Sequence, residues 1–354
     1  MHGRVPIHLW LLPEIGIDGI FHGSAYIRLI QPLTHPQLAK SFRVTVARDY
    51  HGEQVDAVIV ERGWRADIDV LHAENLVKTV KRAGARLIYI LDDNLLDPHP
   101  DLATEPQLAR VRSIVRLFVR EADGIIVSTE PLKSRLRQLN DRIRVVSNSL
   151  DERLFRPSVL CRRSQGKRLR LGYMGTLTHL PDLMEVLPAL RAIFRTYGHR
   201  LEFELLGVSA DPRLPRLLGK NVRTRLLQPP NVRYPDFLSW MTENLDWDLA
   251  IAPLVGHVFN VYKSDIKLLD YGICYIPAVY SCVCAYESSV RHHVTGCLAA
   301  NRTDNWTEEL SYLIEDDVAR RHMGENAYEY VLGYRTLAQT ASQWEETIMN
   351  LIRV

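Results

Sequence analysis

Short apolar runs alternate with amphipathic segments along nearly the whole chain, and that alternation points to sheets of parallel strands covered on both faces by helices. In the first half, strand-like runs fall at 7–12, 42–47, 57–60, 86–91, 124–128 and 143–146, with helical periodicity at 68–82, 106–121 and 130–139. The pattern stops near Asp151, and residues 156–167 are polar, basic and aperiodic, the composition of a linker. It resumes with strand-like runs at 169–173, 201–206, 249–254 and 276–280, a helix over 183–197, and closing helices near 306–315, 318–332 and 338–352. A chain of 354 residues exceeds what one ordinary core supports. The expected class is therefore α/β, with doubly wound domains over 1–155 and 168–335, the linker 156–167 between them, and a last helix in 336–354. No repeat of about 20–50 residues is visible, which sets aside solenoids and propellers.

Residues 248–281, DLAIAPLVGHVFNVYKSDIKLLDYGICYIPAVYS, carry the most chemistry. Two apolar runs flank a polar loop and a segment with helical spacing. At about 100° per residue, Asn260, Lys263, Lys267 and Asp270 fall within roughly 80° of one another, opposite Tyr262, Ile266, Leu269 and Ile273. Such a charged face, at a helix start just past a buried strand, is where open α/β sheets place ligands. A helix N-terminus favours anions and two lysines add full charge, so a phosphate is the expected guest. The alternative is a solvated surface face. A second cradle follows the strand at 169–173, where Gly175, Thr176, Thr178 and His179 occupy a tight turn before a helix.

The bulk properties narrow the partners. A net charge of +2, with 46% hydrophobic and 24% charged residues, gives no general attraction to nucleic acid. Cys161, Cys274, Cys282, Cys284 and Cys297 are odd in number and lack disulfide or zinc-site spacing, which suits a reducing cytoplasm. Residues 5–12 read as a strand and not a signal peptide, and no window has the roughly 20 apolar residues of a membrane span. Around residues 107–120, Arg110, Arg112, Arg116 and Arg120 lie outside an apolar stripe. Such a face can rest on anionic lipid, giving peripheral membrane association as the lesser expectation beside simple solvation.

Taken together, G-T-x-T-H-x-x-D at 175–182 and F-N-x-x-K-S-x-x-K-x-x-D-Y-G at 259–272 resemble the large group 1 family of retaining glycosyltransferases, a family of GT-B architecture, especially bacterial members acting in surface polysaccharide assembly. ADGIIVSTEPLKSRL (122–136), RVVSNSLDERLF (144–155) and VTGCLAA (294–300) extend the resemblance over nearly the whole chain. It implies two facing Rossmann-like domains, with a nucleotide-sugar held mainly by the second and a last helix crossing back to the first. It implies transfer of the sugar, with retention, to a hydroxyl of a glycan or lipid-linked acceptor, with no cofactor beyond the donor itself.

By the same resemblance, Asp270 stands at the family's ribose-binding glutamate, and Lys263, Ser264 and Lys267 lie on the diphosphate side, with Gly175, Thr176 and His179 opposite. In the first domain, His22, Gly23 and Ser24 open a helix after the first strand, where the family's loop approaches donor and acceptor. Arg62 and Gly63 end the third strand, and Asp92, Asp93 and Asn94 end the fourth. Asp93 is expected to orient the acceptor hydroxyl or, equally, to cap the next helix. Asp92, Asp93 and Asp97 do not have the spacing of a metal-binding D-x-D, so no metal is expected. The family's second glutamate is replaced by Tyr262, and its Arg and Lys after the first strand of the second domain are absent. Base contacts are expected from 208–210 and 233–234. Two other readings stay open: an epimerase or dehydrogenase on similar domains, although residues 12–24 lack a clean G-x-G-x-x-G, and a non-catalytic nucleotide-binding scaffold.

Overall fold

The structure is a computed structural model that describes residues 5–97, 106–155, 168–176, 179–207, 217–218, 222–229 and 233–353. The expected linker at 156–167 and the base contacts expected at 208–210 lie outside the described residues.

Two six-stranded sheets are present, and every strand pair in them is parallel. The first contains β1 (Ile7–Leu12), β2 (Phe42–Val46), β3 (Ala57–Glu61), β4 (Arg86–Leu91), β5 (Gly124–Val127) and β6 (Ile143–Val145), in the order β2-β1-β3-β4-β5-β6. The second contains β7 (Leu169–Met174), β8 (Leu201–Leu206), β9 (Thr224–Leu227), β10 (Leu249–Ala252), β11 (Ala278–Ser281) and β12 (Cys297–Ala299), ordered β12-β11-β10-β7-β8-β9.

Successive strand residues feed opposite cores, as period-two geometry requires. On the first sheet, Val58, Val60, Leu87 and Tyr89 pack under the helices Val70–Arg82 and Pro106–Glu121. Ile59, Ile88 and Ile90 pack on the other face with Leu29, Leu33, Trp344 and Ile348. Those last two side chains belong to the helix Leu337–Ile352, which crosses from the second domain to cover the first sheet. The approach is close enough that a Cβ on Gly124 would lie 2.5 Å from Leu351, so β5 needs glycine there. The second sheet repeats the plan, with Tyr173, Phe203 and Ile251 on one face and Ala250, Ala252 and Ala278 on the other.

The chain changes domain at two points that touch each other. Leu150 N–H donates to the Arg335 carbonyl at 2.8 Å, and Leu337 N–H donates to the Leu150 carbonyl at 2.9 Å. The expected helix over 183–197 is two helices, Leu180–Glu185 and Leu187–Tyr197, because Pro188 has no N–H for the turn before it. β9 and the helix Asp236–Asn244 add to the expected elements.

Candidate active site

In each sheet the strand order reverses at one place, between β1 and β3 in the first and between β7 and β10 in the second. Loops diverge from the carboxyl ends there and leave a crevice. The two crevices face each other and form one cleft of about 330 Å³. His22, Gly23, Ser24, Arg62, Asp92, Asp93 and Asn148 line it from the first domain, and His179, Leu254, Lys263, Ser264, Ile266, Lys267 and Tyr286 from the second.

The lysine-bearing segment is built differently from the single helix expected. Val258–Tyr262 is a 3₁₀ turn, Lys263 is extended (φ −65°, ψ 151°), and the α-helix begins only at Ile266. Partners far along the chain impose the break. Thr129 Oγ1 donates to the Tyr262 carbonyl at 3.0 Å, and Arg335 grips the Asp265 carboxylate through Nη1 (2.6 Å) and Nη2 (2.8 Å). Lys263 and Ser264 thus stand in the entry to the helix, with Lys267 in its first turn. Asn260 does not line the cleft: its Nδ2 donates to the Val255 carbonyl at 3.0 Å and lies 3.4 Å from Asp182 Oδ1. Tyr262 packs against the core of the first domain.

Lys267 is buried, with Nζ 5.0 Å from the centre of the Tyr173 ring. Burial pulls its ammonium down to about 8, with Lys263 adding to the effect, against the attraction of Asp182 and Asp270. His179 Nδ1 pairs with Asp182 Oδ2 at 2.8 Å, while Asp182 Oδ1 accepts from Val255 N–H at 2.8 Å. Burial and the two lysines lower the imidazole against the pull of Asp182. A neutral ring that donates from Nδ1 leaves Nε2 as its free nitrogen. Burial would raise the Asp182 carboxyl, but the bonds from His179 and Val255 hold it below the usual range. Gly175 supports this turn from behind, since a Cβ there would approach His179 Cβ to 3.1 Å. Thr176 is exposed, and its carbonyl accepts from His179 N–H at 2.9 Å. Neither Gly175 nor Thr176 lines the cleft.

Asp270 lies three residues past Lys267, half-buried and outside the space that Lys267 lines. Burial pushes its carboxyl up to about 7, only partly opposed by Lys267.

On the opposite wall, Arg62 is a hub. Its Nε donates to Asp92 Oδ1 at 2.5 Å, and Nη1 and Nη2 lie 3.5 Å from Glu14 Oε2 and 3.9 Å from Asp93 Oδ2. Its backbone is left-handed (φ 47°), a costly conformation held by bonds from Arg62 N–H to Ile90 O and from Tyr89 Oη to Arg62 O. Burial alone would raise the Asp92 carboxyl, yet Arg62 and Arg28 keep it low. Behind them Glu61 is fully buried, and burial pushes its carboxyl up to about 8. Asp93 Oδ2 meets Lys263 Nζ of the other domain at 3.5 Å, while Asp93 Oδ1 and Ser24 Oγ are buried without a hydrogen-bond partner. Asp93 therefore lines the cleft, and among the described residues its side chain caps no helix. Asp97 belongs elsewhere, held by Arg135 at 2.6 and 2.8 Å.

Seven of the expected site residues, His179, Lys263, Ser264, Lys267, Asp93, Gly23 and Ser24, line one cleft. Asn260, Asp270, Gly175 and Thr176 do not. Asn148 and Tyr286 were not singled out from the sequence. Asn148 joins the cleft through bonds to residues more than a hundred positions away, which leave no local pattern. Among the described residues, the one group with metal-ligand geometry, His292, His293 and Glu309, is not part of the cleft lining.

No family model and no curated protein sequence matches the chain. Solved structures do. HepE of Anabaena, determined with UDP and glucose, has a TM-score of 0.63 at 13% identity, with 97% of this chain and 99% of that one covered. A glycosyltransferase from Rickettsia africae has a TM-score of 0.63 at 10% identity, covering 99% of both chains. TarM of S. aureus has a TM-score of 0.58 at 13% identity over 84% of this chain, which spans 55% of TarM's length. The shared architecture is GT-B: two Rossmann-like domains facing each other across a cleft.

Proposed function

We propose that this chain moves a sugar from a nucleotide-diphosphate sugar to a hydroxyl of a glycan or lipid-linked acceptor, with retention and without a metal. The observation that carries the reading is the meeting of Lys263, Ser264, Lys267 and His179 from one switch point with Ser24, Arg62 and Asp93 from the other. The first group offers an anion a helix entry and two ammonium groups. The second offers a sugar or an incoming hydroxyl polar atoms that still lack partners.

Cleaving the bond from sugar to diphosphate builds negative charge on the leaving oxygens. Cations already in place lower that barrier because they need no reorganisation at the moment of reaction. Lys263 and Lys267 take this role, and they supply charge that a divalent ion would otherwise bring. His179, with Nδ1 paired to Asp182, presents Nε2 as the nitrogen that would meet the diphosphate, and it donates there when the ring is protonated. Asp92 and Asp93 are both engaged by cations, which disfavours either as a nucleophile and supports a front-face route in which the leaving phosphate helps remove the acceptor proton. Asp93 Oδ1 is the atom suited to orient that hydroxyl.

The test is a panel of UDP-, GDP-, ADP- and TDP-sugars, begun with UDP-glucose because HepE has been determined with it. Donor at 100 times its dissociation constant should add about 2.7 kcal/mol of stability. Slow donor hydrolysis, or transfer to an added acceptor, should then appear and persist in EDTA. Binding without turnover would indicate a scaffold, and an epimerised donor with no acceptor present would indicate an epimerase. Loss of activity in EDTA that magnesium or manganese restores would overturn metal independence.

A further inference from the structure

We propose that Asn148 is a positioning residue that makes the Ser264 hydroxyl an obligate hydrogen-bond donor to the diphosphate, an inference that rests on the function proposed above. It begins with Arg28, which is 0% exposed inside the first domain and has its guanidinium 5.4 Å from the centre of the Trp344 ring. Arg28 Nη1 donates to the Val146 carbonyl at 2.7 Å and to Asn148 Oδ1 at 2.9 Å. A guanidinium has donors and no acceptor, so the amide oxygen of Asn148 must face it. The amide nitrogen then has to point the other way. There Asn148 Nδ2 donates to Ser264 Oγ at 2.8 Å.

A hydroxyl carries one proton and two lone pairs. With a lone pair of Ser264 taken by the amide, its proton turns outward, and among the described residues nothing accepts it. Ser264 lines the cleft between Lys263 and Lys267, where an anion would supply that acceptor. The backbone of Asn148 is fixed to the same turn. Its carbonyl accepts from Arg335 Nε (3.1 Å) and Nη2 (3.0 Å), and Arg335 grips Asp265, the neighbour of Ser264. The polarity of a bond at the entry of the second domain's helix is thus dictated by a buried arginine of the first.

Asn148→Asp tests this with little change of shape. A carboxylate still satisfies Arg28, by a charge-assisted bond, but it can only accept, so it draws the Ser264 proton away from the cleft. Binding of UDP, GDP, ADP and TDP to the full chain is measured by titration calorimetry for wild type, Asn148→Asp, Ser264→Ala and the double variant, beside thermal melts. For the tightest nucleotide, Asn148→Asp and Ser264→Ala should each weaken binding about 10- to 100-fold, the range of a hydrogen bond to a charged group. In the Ser264→Ala background the effect of Asn148→Asp should shrink to about threefold or less. Equal losses in both backgrounds would mean simple charge repulsion and would overturn the proposal. So would wild-type affinity in Asn148→Asp. Asn148→Ala, read in the same cycle, replaces the aspartate variant should that one not fold; its loss, about three- to tenfold, should also vanish in the Ser264→Ala background. If none of the four nucleotides binds the wild type, the functional reading itself falls and this inference with it.

Discussion

Lys263 of the second domain reaches Asp93 of the first, Nζ to Oδ2 at 3.5 Å, and links the two walls of the cleft with an ion pair whose members are each about one-fifth exposed (23% and 20%). A diphosphate in the cleft would compete with Asp93 for that ammonium. If the cleft holds a donor as proposed, its binding would exchange one anion for another at Lys263 and would leave Asp93 with Arg62, 3.9 Å away.

Lys263→Ala and Lys267→Ala should each lower kcat about 100-fold or more, with smaller changes in donor KM. On the proposed function the lysines would meet charge that grows toward the transition state, while ground-state binding would be shared with other groups. Steady-state kinetics with varied donor decides the matter. Near-normal kcat in both variants, with normal folding, would remove the lysines from the chemistry.

The pH profile should follow Lys267. Its ammonium is lowered by burial to about 8 and, on the proposed function, would have to be charged to hold the diphosphate. kcat/KM for the donor should therefore fall as pH rises through about 8. In Lys267→Arg the guanidinium stays charged, and the fall should move to higher pH or disappear. An alkaline limb at the same position in both proteins would assign it to another group.

Asp270 should show itself in stability. Burial raises its carboxyl to about 7 in the folded protein, against about 3.9 in an unfolded chain. Between those values the folded state holds a proton that the unfolded state has lost, so stability falls as pH rises from about 4 to about 7 and the cost is complete above that range. Asp270→Asn removes this cost. It should melt higher than wild type at about pH 8, and the advantage should fade toward about pH 4. An advantage that grows in acid would contradict the assignment. If Asp270 also meets the ribose, the same variant should raise donor KM and leave kcat within about tenfold.

Trp344→Ala should destabilise the first domain by about 3–5 kcal/mol, the usual cost of emptying a large core site. Trp344 is 1% exposed and lies over Arg28. Denaturant unfolding measures the loss, and Trp344→Phe should recover much of it. A change below about 1 kcal/mol would mean that the crossing helix contributes little to this core.

Most strands were legible because their residues are largely buried and leave apolar runs; Arg86–Leu91, buried from Leu87 onward, falls where the sequence puts it, and so does Ile7–Leu12 although His8 interrupts it. Thr224–Leu227 was not legible. It is a short edge strand with no buried residue, and its sequence, TRLL, carries no period. The segment 259–273 satisfies a helical period throughout, yet it breaks at Lys263 because Thr129 and Arg335, far off in sequence, hold its backbone and Asp265. The cleft was partly legible for the same reason. Lysines after a strand mark a site locally, whereas Asn148 acquires its place through Arg28 and Ser264 and shows nothing in its own neighbourhood.

The crossing helix also sets an order of assembly during synthesis. Leu9, Leu11, Ile59, Ile88 and Ile126 need Trp344, Ile348 and Leu351 to complete their side of the core, and those residues leave the ribosome only after the whole second domain. The first domain to be made is therefore the last to finish folding. Until the segment beyond residue 336 arrives, the part of that sheet face that Trp344, Ile348 and Leu351 cover, beside Leu29 and Leu33, is an apolar surface open to water and to other nascent chains.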